Sequence, residues 1–440
     1  MKKLIYVLMG LLALTYACQD DENEYAVYPV SVQLVYPAEG GFSATEGIQV
    51  RLLNSTTGAT FEATTDATGK ADFLVPVGIY EASVTDVRMV DVVASILNGL
   101  RSNITVAKGT VAPVFEVSLT VSKGGQVLIK ELYVGGCQKD DGSGTFQMDK
   151  YVILYNNSNQ VASLDSLVFG TSYPYNSNGS NAYYNAEGNL SYENDGWLPA
   201  GTGIWYFSSP VSLDPWKQLV VNINGAIDNT VTYSQSINFN NPDYYCMYDI
   251  TTFTNTNYYP APVETIPTSH YLKAYQYGAG NAWVLSAVCP AFFIFTPKDV
   301  SLQSFSNDVR YADSTSTTSL VRKMLPVDWI VDGIEVFRMG YDDNKKRLTS
   351  TVDAGYVMFD NGKGYTLYRN VDKAATEAIE ENAGKIVYGY SGGTADVDGT
   401  TDPSGIDAEA SIKNGARIVY KDTNNSLNDF HQRKRASLRN

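Results

Sequence analysis

From Val30 onward the chain is a succession of short segments in which apolar and polar residues alternate, broken by Gly, Asn, Asp and Pro. Val30-Ser-Val-Gln-Leu-Val-Tyr36, Gly47-Ile-Gln-Val-Arg-Leu-Leu53 and Tyr151-Val-Ile-Leu-Tyr155 are examples. Successive strand side chains leave opposite faces, so a period of two buries one face of each segment and wets the other. Turn residues at these intervals leave little room for long helices. The pattern therefore predicts an all-β protein. Two stretches, Val90–Leu100 and Val371–Ala383, carry helical spacing for about three turns each and read as connections rather than layers. A chain of 440 residues is too long for one sandwich of about 100 residues, so more than one domain is expected.

The first residues follow different rules. Lys2 and Lys3 precede Leu4–Ala17, a run that is apolar apart from Thr15 and too short to span a bilayer. This is the pattern of a signal peptide, over residues 1–17. The following Cys18 makes Thr15-Tyr16-Ala17-Cys18 resemble a bacterial lipobox, with Thr15 where Leu is usual. The resemblance implies acylation of Cys18 and a membrane-tethered mature chain. Residues 18–26, with Asp20, Asp21, Glu22 and Glu24, form an acidic tether similar to the export tag of Bacteroidota surface lipoproteins. With 32 basic and 47 acidic residues the net charge is −15, and loss of Lys2 and Lys3 takes it to −17. Such a chain does not hold to anionic lipid by charge, and it argues against nucleic-acid binding, which needs a basic face.

Residues 27–122 carry paired turns. Thr65-Asp-Ala-Thr-Gly-Lys-Ala-Asp-Phe73 reads as a tight turn ending at Gly69 and running into a strand with Phe73 inward. Val75-Pro-Val-Gly-Ile-Tyr80 reads as a Pro/Gly turn whose tyrosine starts the next strand. This segment resembles the prealbumin-like sandwich of carboxypeptidase regulatory regions, a module that serves as spacer or docking surface. Ser122-Lys-Gly-Gly125 marks a boundary, after which 127–440 is expected to form a large β ligand-binding domain.

In that second part, a strand ending at Gly135-Gly136 is followed by a polar loop and by Tyr151–Tyr155 before Asn156-Asn157-Ser158. Together with a closing strand over Gly364–Asn370, it resembles a lamin-tail-like β-sandwich core interrupted by long aromatic-rich insertions. With Gly203-Ile-Trp-Tyr-Phe207, Trp216–Val221, Ala282–Leu285 and Pro326–Asp332, the whole stretch resembles a Bacteroides surface lipoprotein family built on a domain of unknown function. Its members include the lipoprotein of a xenosiderophore-utilisation system. The resemblance implies a partner in a TonB-dependent outer-membrane receptor and a ferric siderophore as cargo, with iron present only inside the bound complex and no other cofactor.

Catalytic chemistry finds little footing. Two histidines in the chain leave little for His-based catalysis or a His-ligated metal. Gly389-Tyr-Ser-Gly-Gly393 fits the nucleophile-elbow pattern, but the sequence after it is no helix. Asp396, Asp398 and Asp402 gather hard oxygen ligands around Gly399, yet depart from the EF-hand spacing. Asp165-Ser166-Leu167 and Asp313-Ser314-Thr315 look like the Bacteroidota O-glycosylation sequon. Cys137, Cys246 and Cys289 allow one disulfide, without saying which pair forms. The expectation is a protein that is not an enzyme.

What stands out is residues 171–285, where tyrosine and tryptophan are set among Asn, Ser and Gly. Rings embedded in polar loops make contact surfaces, because they supply area and a polar tip at low entropic cost. Candidate ligand-binding residues are Tyr173, Tyr175, Trp197, Trp205 and Trp283. Arg310, Arg322 and Lys323 join them as the positive charge that an anionic ferric catecholate needs. Lys345-Lys346-Arg347 and Arg433-Lys434-Arg435 extend that basic inventory. A glycan is the alternative ligand, and a structural or adhesion module without small ligand the third reading. The location expected is the outer membrane, lipid-anchored and facing the cell exterior.

Overall fold

The computed structural model describes residues 26–38, 41–90, 93–109, 111–123, 125–313, 321–396 and 400–439. The signal segment, Cys18 and nearly all of the acidic run lie outside the described residues, as do Ser314, Thr315 and Asp398. The chain is all-β: its helices among the described residues are four pieces of four to six residues. None of them is long and apolar enough to cross a membrane.

Eight strands make the first sandwich. β1 (Val27–Val35) lies between β4 (Lys70–Pro76) and β7 (Val114–Ser118). The facing sheet runs β3 (Thr60–Thr64), β2 (Gln49–Asn54), β5 (Gly78–Val90), β6 (Val93–Val106), β8 (Thr120–Lys123). Alternation does what the sequence requires of it. In β4, Ala71, Phe73 and Val75 are buried while the residues between them are not. The turn before β4 is closed by the Asp66 side chain, whose Oδ1 accepts from Thr68 N at 2.8 Å.

The helix expected over Val90–Leu100 is absent: from Val93 this stretch is β6, paired antiparallel with β5 from Gly78↔Val106 to Val90↔Val93. Its β-branched residues and a long partner strand override the helical spacing. The outward face of β5 and β6 is seated on the rest of the chain. There the Asn425 and Asn428 amides donate to Thr85 Oγ1 at 3.3 and 3.0 Å, and the Asn98 amide donates to Thr423 O.

The remainder is organised by one twelve-stranded sheet, ordered β24-β23-β21-β14-β16-β20-β19-β18-β12-β9-β25-β26. In chain order these are β9 (Val127–Tyr133), β12 (Tyr151–Asn156), β14 (Val168–Thr171), β16 (Gly203–Tyr206), β18 (Gln218–Asn222) and β19 (Tyr245–Met247). They continue as β20 (Tyr271–Gln276), β21 (Ala291–Phe295), β23 (Ile330–Arg338), β24 (Val357–Phe359), β25 (Thr366–Arg369) and β26 (Phe430–Arg433). Three short pairs lie outside it: β10 (Cys137–Gln138) with β11 (Thr145–Phe146), β13 (Ala162–Ser163) with β17 (Ser212–Leu213), and β15 (Trp197–Ala200) with β22 (Lys323–Pro326).

The expected closing strand is β25, which returns beside β9 although more than two hundred residues separate them. The second helical expectation is met in part, by a helix at Lys373–Glu377 and a 3-10 turn at Glu380–Asn382.

The sheet curls until β23 lies over β9, and a buried polar knot fixes that closure. Asp332 Oδ2 accepts from Ile129 N at 2.6 Å and from the Arg369 guanidinium, whose Nε donates to Ile129 O at 2.7 Å. Inside the curl sits the main core, with Trp205, Phe253, Tyr259 and Trp283 among its aliphatic residues. Outside β14, β16 and β21 sits a second core, covered by segments near residues 173–198, 300–311 and 325–330. The middle of the sheet is therefore a partition between two cores, and the face of β16 and β20 that leaves the second core becomes accessible.

Candidate functional site

β20 is a strand of alternating purpose. Leu272 and Ala274 point into the main core, which leaves Tyr271, Lys273 and Tyr275 on the opposite face. Neighbouring β16 follows the same parity: Trp205 pairs with Ala274, and Tyr206 pairs with Lys273. Close approach of the two strands needs Gly203, where a Cβ would lie 2.9 Å from both the Phe253 ring and Tyr275 O. On the accessible face Tyr206 and Tyr275 stack, with centroids 5.1 Å apart and planes at 16°. Burial and the neighbouring Tyr275 push the Tyr206 phenol up to about 12, so Tyr206 keeps its hydroxyl proton in the physiological range.

Two hollows open along this face. One, of about 350 Å³, has the Tyr206 and Tyr275 rings as a wall, Val300 and Leu302 as an apolar side, and Asp165 and Ser166 at its rim. The other, of about 480 Å³, is lined by Tyr248, Tyr271 and Lys273 together with the hydroxyls of Ser208, Ser209, Thr268 and Ser269. Lys273 is half exposed and has Asp249 Oδ1 3.8 Å from its ammonium, so its charge is partly countered. Rings, hydroxyls and one compensated cation suit a ligand with apolar ring faces and many hydroxyls. The set is poor in the uncompensated positive charge that a strongly anionic ligand needs.

Five of the eight residues singled out from the sequence meet elsewhere, where β15 pairs with β22. The Arg322 guanidinium lies over the Tyr173 ring at 4.4 Å, with Asp313 Oδ2 at 3.4 Å. Tyr175 packs edge-on against Tyr173 at 5.5 Å and bonds Thr202 Oγ1 at 3.1 Å. Trp197 and Lys323 sit at opposite ends of the β15–β22 ladder. Burial pushes the Lys323 ammonium down from its ordinary value, and it donates to Asp308 O at 2.9 Å. Arg310 stands apart, exposed and bonded to Asp308 at 2.5 Å.

Trp205 and Trp283 are corrections. Both are core residues of the main sheet, and the Trp283 indole donates to Gly203 O at 2.9 Å, so neither offers a face to a ligand. The basic runs are a second correction. Arg347 is wholly buried against Glu335, and the buried Lys346 donates to Asp353 O and Gly355 O at 2.7 and 2.6 Å. Arg433 lies over the Tyr368 ring at 4.7 Å. These three charges hold the fold, whereas Lys434 and Arg435 are exposed.

The residues missed from the sequence are Tyr248 and Lys273, while Tyr206, Tyr271 and Tyr275 fell within the aromatic stretch 171–285 without being singled out as binding residues. The signal was present in Tyr271-Leu-Lys-Ala-Tyr-Gln-Tyr277, which places large polar-tipped side chains at every second position.

The weaker motifs resolve into structure. At Gly389–Gly393 it is Tyr390 that bonds His431 Nε2, at 2.6 Å, while His431 Nδ1 meets Asn370 Oδ1 at 2.8 Å. Burial pushes that imidazole down to about 3, and its partners leave no arrangement of a base for Ser391. Asp402 accepts backbone N–H from Val371 and Ser404 at 3.0 and 2.9 Å, one on each oxygen, which ties it into the backbone of its loop. Among the described residues no three His, Cys, Asp or Glu side chains are grouped to hold a metal ion. Cys137, Cys246 and Cys289 are all buried free thiols, and burial pushes the first two up to about 12.

Residues 214–404 match the family model described as a protein of unknown function, DUF4876. No curated protein matches the sequence. The crystal structure of a DUF4876 family protein from Bacteroides thetaiotaomicron VPI-5482 is similar over 92% of this chain and 94% of its own, with TM-score 0.51 and 17% identity. At that identity the likeness is one of fold. A candidate adhesin from Bacteroides ovatus ATCC 8483 overlaps 35% of this chain and 56% of its own, with TM-score 0.18 and 13% identity.

Proposed function

We propose that this chain is an outer-membrane lipoprotein, anchored through Cys18 and facing the cell exterior, that holds an extracellular ligand without converting it. The ligand class that the geometry supports best is a glycan, taken on the face of β16 and β20. The observation that carries this reading is the stacked Tyr206–Tyr275 pair lining one hollow, with a second hollow lined by Tyr248, Tyr271, Ser208, Ser209, Thr268 and Ser269 along the same strands. A sugar presents C–H faces that rest on rings and hydroxyls that exchange bonds with Ser, Thr and Tyr. A ferric siderophore of catecholate type, passed on to a TonB-dependent transporter, is the cargo implied by the lipoprotein resemblance. Lys273 beside Tyr271 favours it locally, as a cation next to a ring. The nearby Asp249 and the internal use of Arg347, Lys346 and Arg369 weigh against it.

Titration under intrinsic fluorescence separates these. Oligosaccharides of plant, fungal and host type and a ferric tris-catecholate are each added to the purified chain at two salt concentrations. A glycan that binds with little salt dependence, and that loses about tenfold in affinity in both Tyr206→Ala and Tyr275→Ala, is the expected result. Binding that is steeply weakened by salt and restricted to the ferric complex would replace the glycan. Binding that both variants leave unchanged would place the site off this face.

A further inference from the structure

The surface of the first sandwich is unusually apolar at one end. Fifteen large apolar side chains are exposed among the described residues, and eight of them belong to residues 27–121, a small share of the chain. Most of the eight converge. Along β1 toward its N-terminal end the cross-strand partners on β4 run Gln33↔Lys70, Ser31↔Asp72, Pro29↔Leu74, Val27↔Pro76. These pairs share the outward face, since Val30 and Val32 between them are core. The face thus passes from charged to apolar over four pairs. Val114 stands in register with Ser31, one pair in from the apolar end, and the exposed Val77 and Val111 lie in the turns that adjoin the same ends of β4 and β7. Leu74 is 64% exposed and Val111 91%, values that solvent penalises unless something covers them.

Two placements say what covers it. The large domain is seated across the sandwich, on the outward face of β5 and β6, so the β4-β1-β7 face is turned away from it. The chain preceding Val27, which on the lipoprotein reading begins at acylated Cys18, joins the sandwich at this apolar end. We propose that the apolar end of the β4-β1-β7 face docks on the lipid surface, so that the first sandwich is a membrane-seated pedestal. This inference rests on the reading that Cys18 is acylated. The nine residues 18–26 reach about 30 Å when extended. That span lets the sandwich stand off the bilayer, so seating depends on the apolar end itself. The docked orientation leaves the β16–β20 face free of the membrane-facing sheet.

The test uses the full chain, produced with its lipid anchor and placed on vesicles of phosphatidylethanolamine and phosphatidylglycerol. The native thiols Cys137, Cys246 and Cys289 are buried, so a single introduced cysteine takes the label. Leu74→Cys and Val114→Cys carry a polarity-sensitive dye, with Val231→Cys on the large domain as reference. Flotation first reports anchoring, and a lipid-borne spin label then quenches dyes near the bilayer. Quenching several-fold stronger at positions 74 and 114 than at 231 is expected. A chain that floats with equal quenching at all three sites overturns the docking while leaving the anchor intact. Cross-linking of the 74 and 114 sites between copies, without lipid quenching, assigns the face to a second molecule and overturns it too. A chain that does not float removes the anchor and the proposal with it.

Discussion

Replacing Arg347 by methionine lowers the stability of the chain by about 3–5 kcal/mol, read as a shift in the urea midpoint at constant slope. Arg347 is wholly enclosed. Its Nη2 and Nε meet Glu335 Oε1 at 2.6 and 2.9 Å, and its Nη1 donates to Pro174 O and Cys289 O at 3.1 and 3.0 Å. Glu335 in turn accepts backbone N–H from Arg347 and Leu348 at 2.7 and 2.8 Å. The intact pair is worth little against an apolar replacement, because removing two ions from water offsets most of their attraction. Breaking it is different. Methionine leaves a carboxylate without a countercharge and takes the guanidinium from three carbonyls, those of Pro174, Cys289 and Val336, in a place water cannot enter. Glu335→Gln in the same chain removes the stranded charge, so the double variant recovers part of the loss. If the single variant loses under 1 kcal/mol, the pair is solvated in solution and the closed packing around β23 is wrong.

The same residue explains what was and was not legible in the sequence. Alternation is a property of each segment by itself, so the all-β character, the β1–β4 core and the Asp66 turn were open to reading from local spacing. A closing strand over Gly364–Asn370 was expected through the lamin-tail resemblance, but its place beside β9 was not legible. Pairing between distant residues was not. Lys345-Lys346-Arg347 looks like a basic surface run, and nothing local reveals that Glu335 and two distant carbonyls enclose its last member. Trp205 and Trp283 looked like contact residues because they lie in the aromatic stretch 171–285, although their near neighbours in the chain, Ile204 and Phe207, Ala282 and Val284, are apolar. Their burial depends on Phe253 and Tyr259, brought in by a loop far along the chain. Tyr271, Lys273 and Tyr275 were legible in principle, because their spacing is itself periodic. Density of aromatics drew attention to the loops, whereas parity along one strand marks the accessible face.

Asp149→Asn is expected to remove a pH dependence from the fold and to stabilise the chain at pH 8. Burial pushes the Asp149 carboxyl up to about 7 from its ordinary 3.8, against the hydrogen bonds that Ser236 and Tyr133 donate to Oδ2 at 3.0 and 3.1 Å. Between those two values the folded chain holds a proton that the unfolded chain releases. Stability from this group is therefore complete below pH 3.8 and is lost as pH rises toward 7, at up to about 1.4 kcal/mol per unit. Over the whole window the loss approaches about 4 kcal/mol, less whatever local relaxation recovers. Asparagine keeps an acceptor for Tyr133 and Ser236 and carries no charge to strand. The difference between variant and parent should therefore grow from near zero at pH 4 to a plateau above pH 7.

Lys150 gives the companion signal. Burial pushes its ammonium down to about 8 from 10.5, while the Asp149 charge opposes the shift. Its own contribution is complete above pH 10.5 and is lost as pH falls through 8, a window that does not overlap that of Asp149. Removing the Asp149 charge takes away the opposing influence, so the Lys150 step moves to lower pH in the variant. Urea unfolding from pH 4 to 10 reads both steps. Parallel curves for parent and variant would mean that Asp149 is already hydrated in solution, and that the enclosure built by Tyr133, Cys137 and Ser236 is open to water.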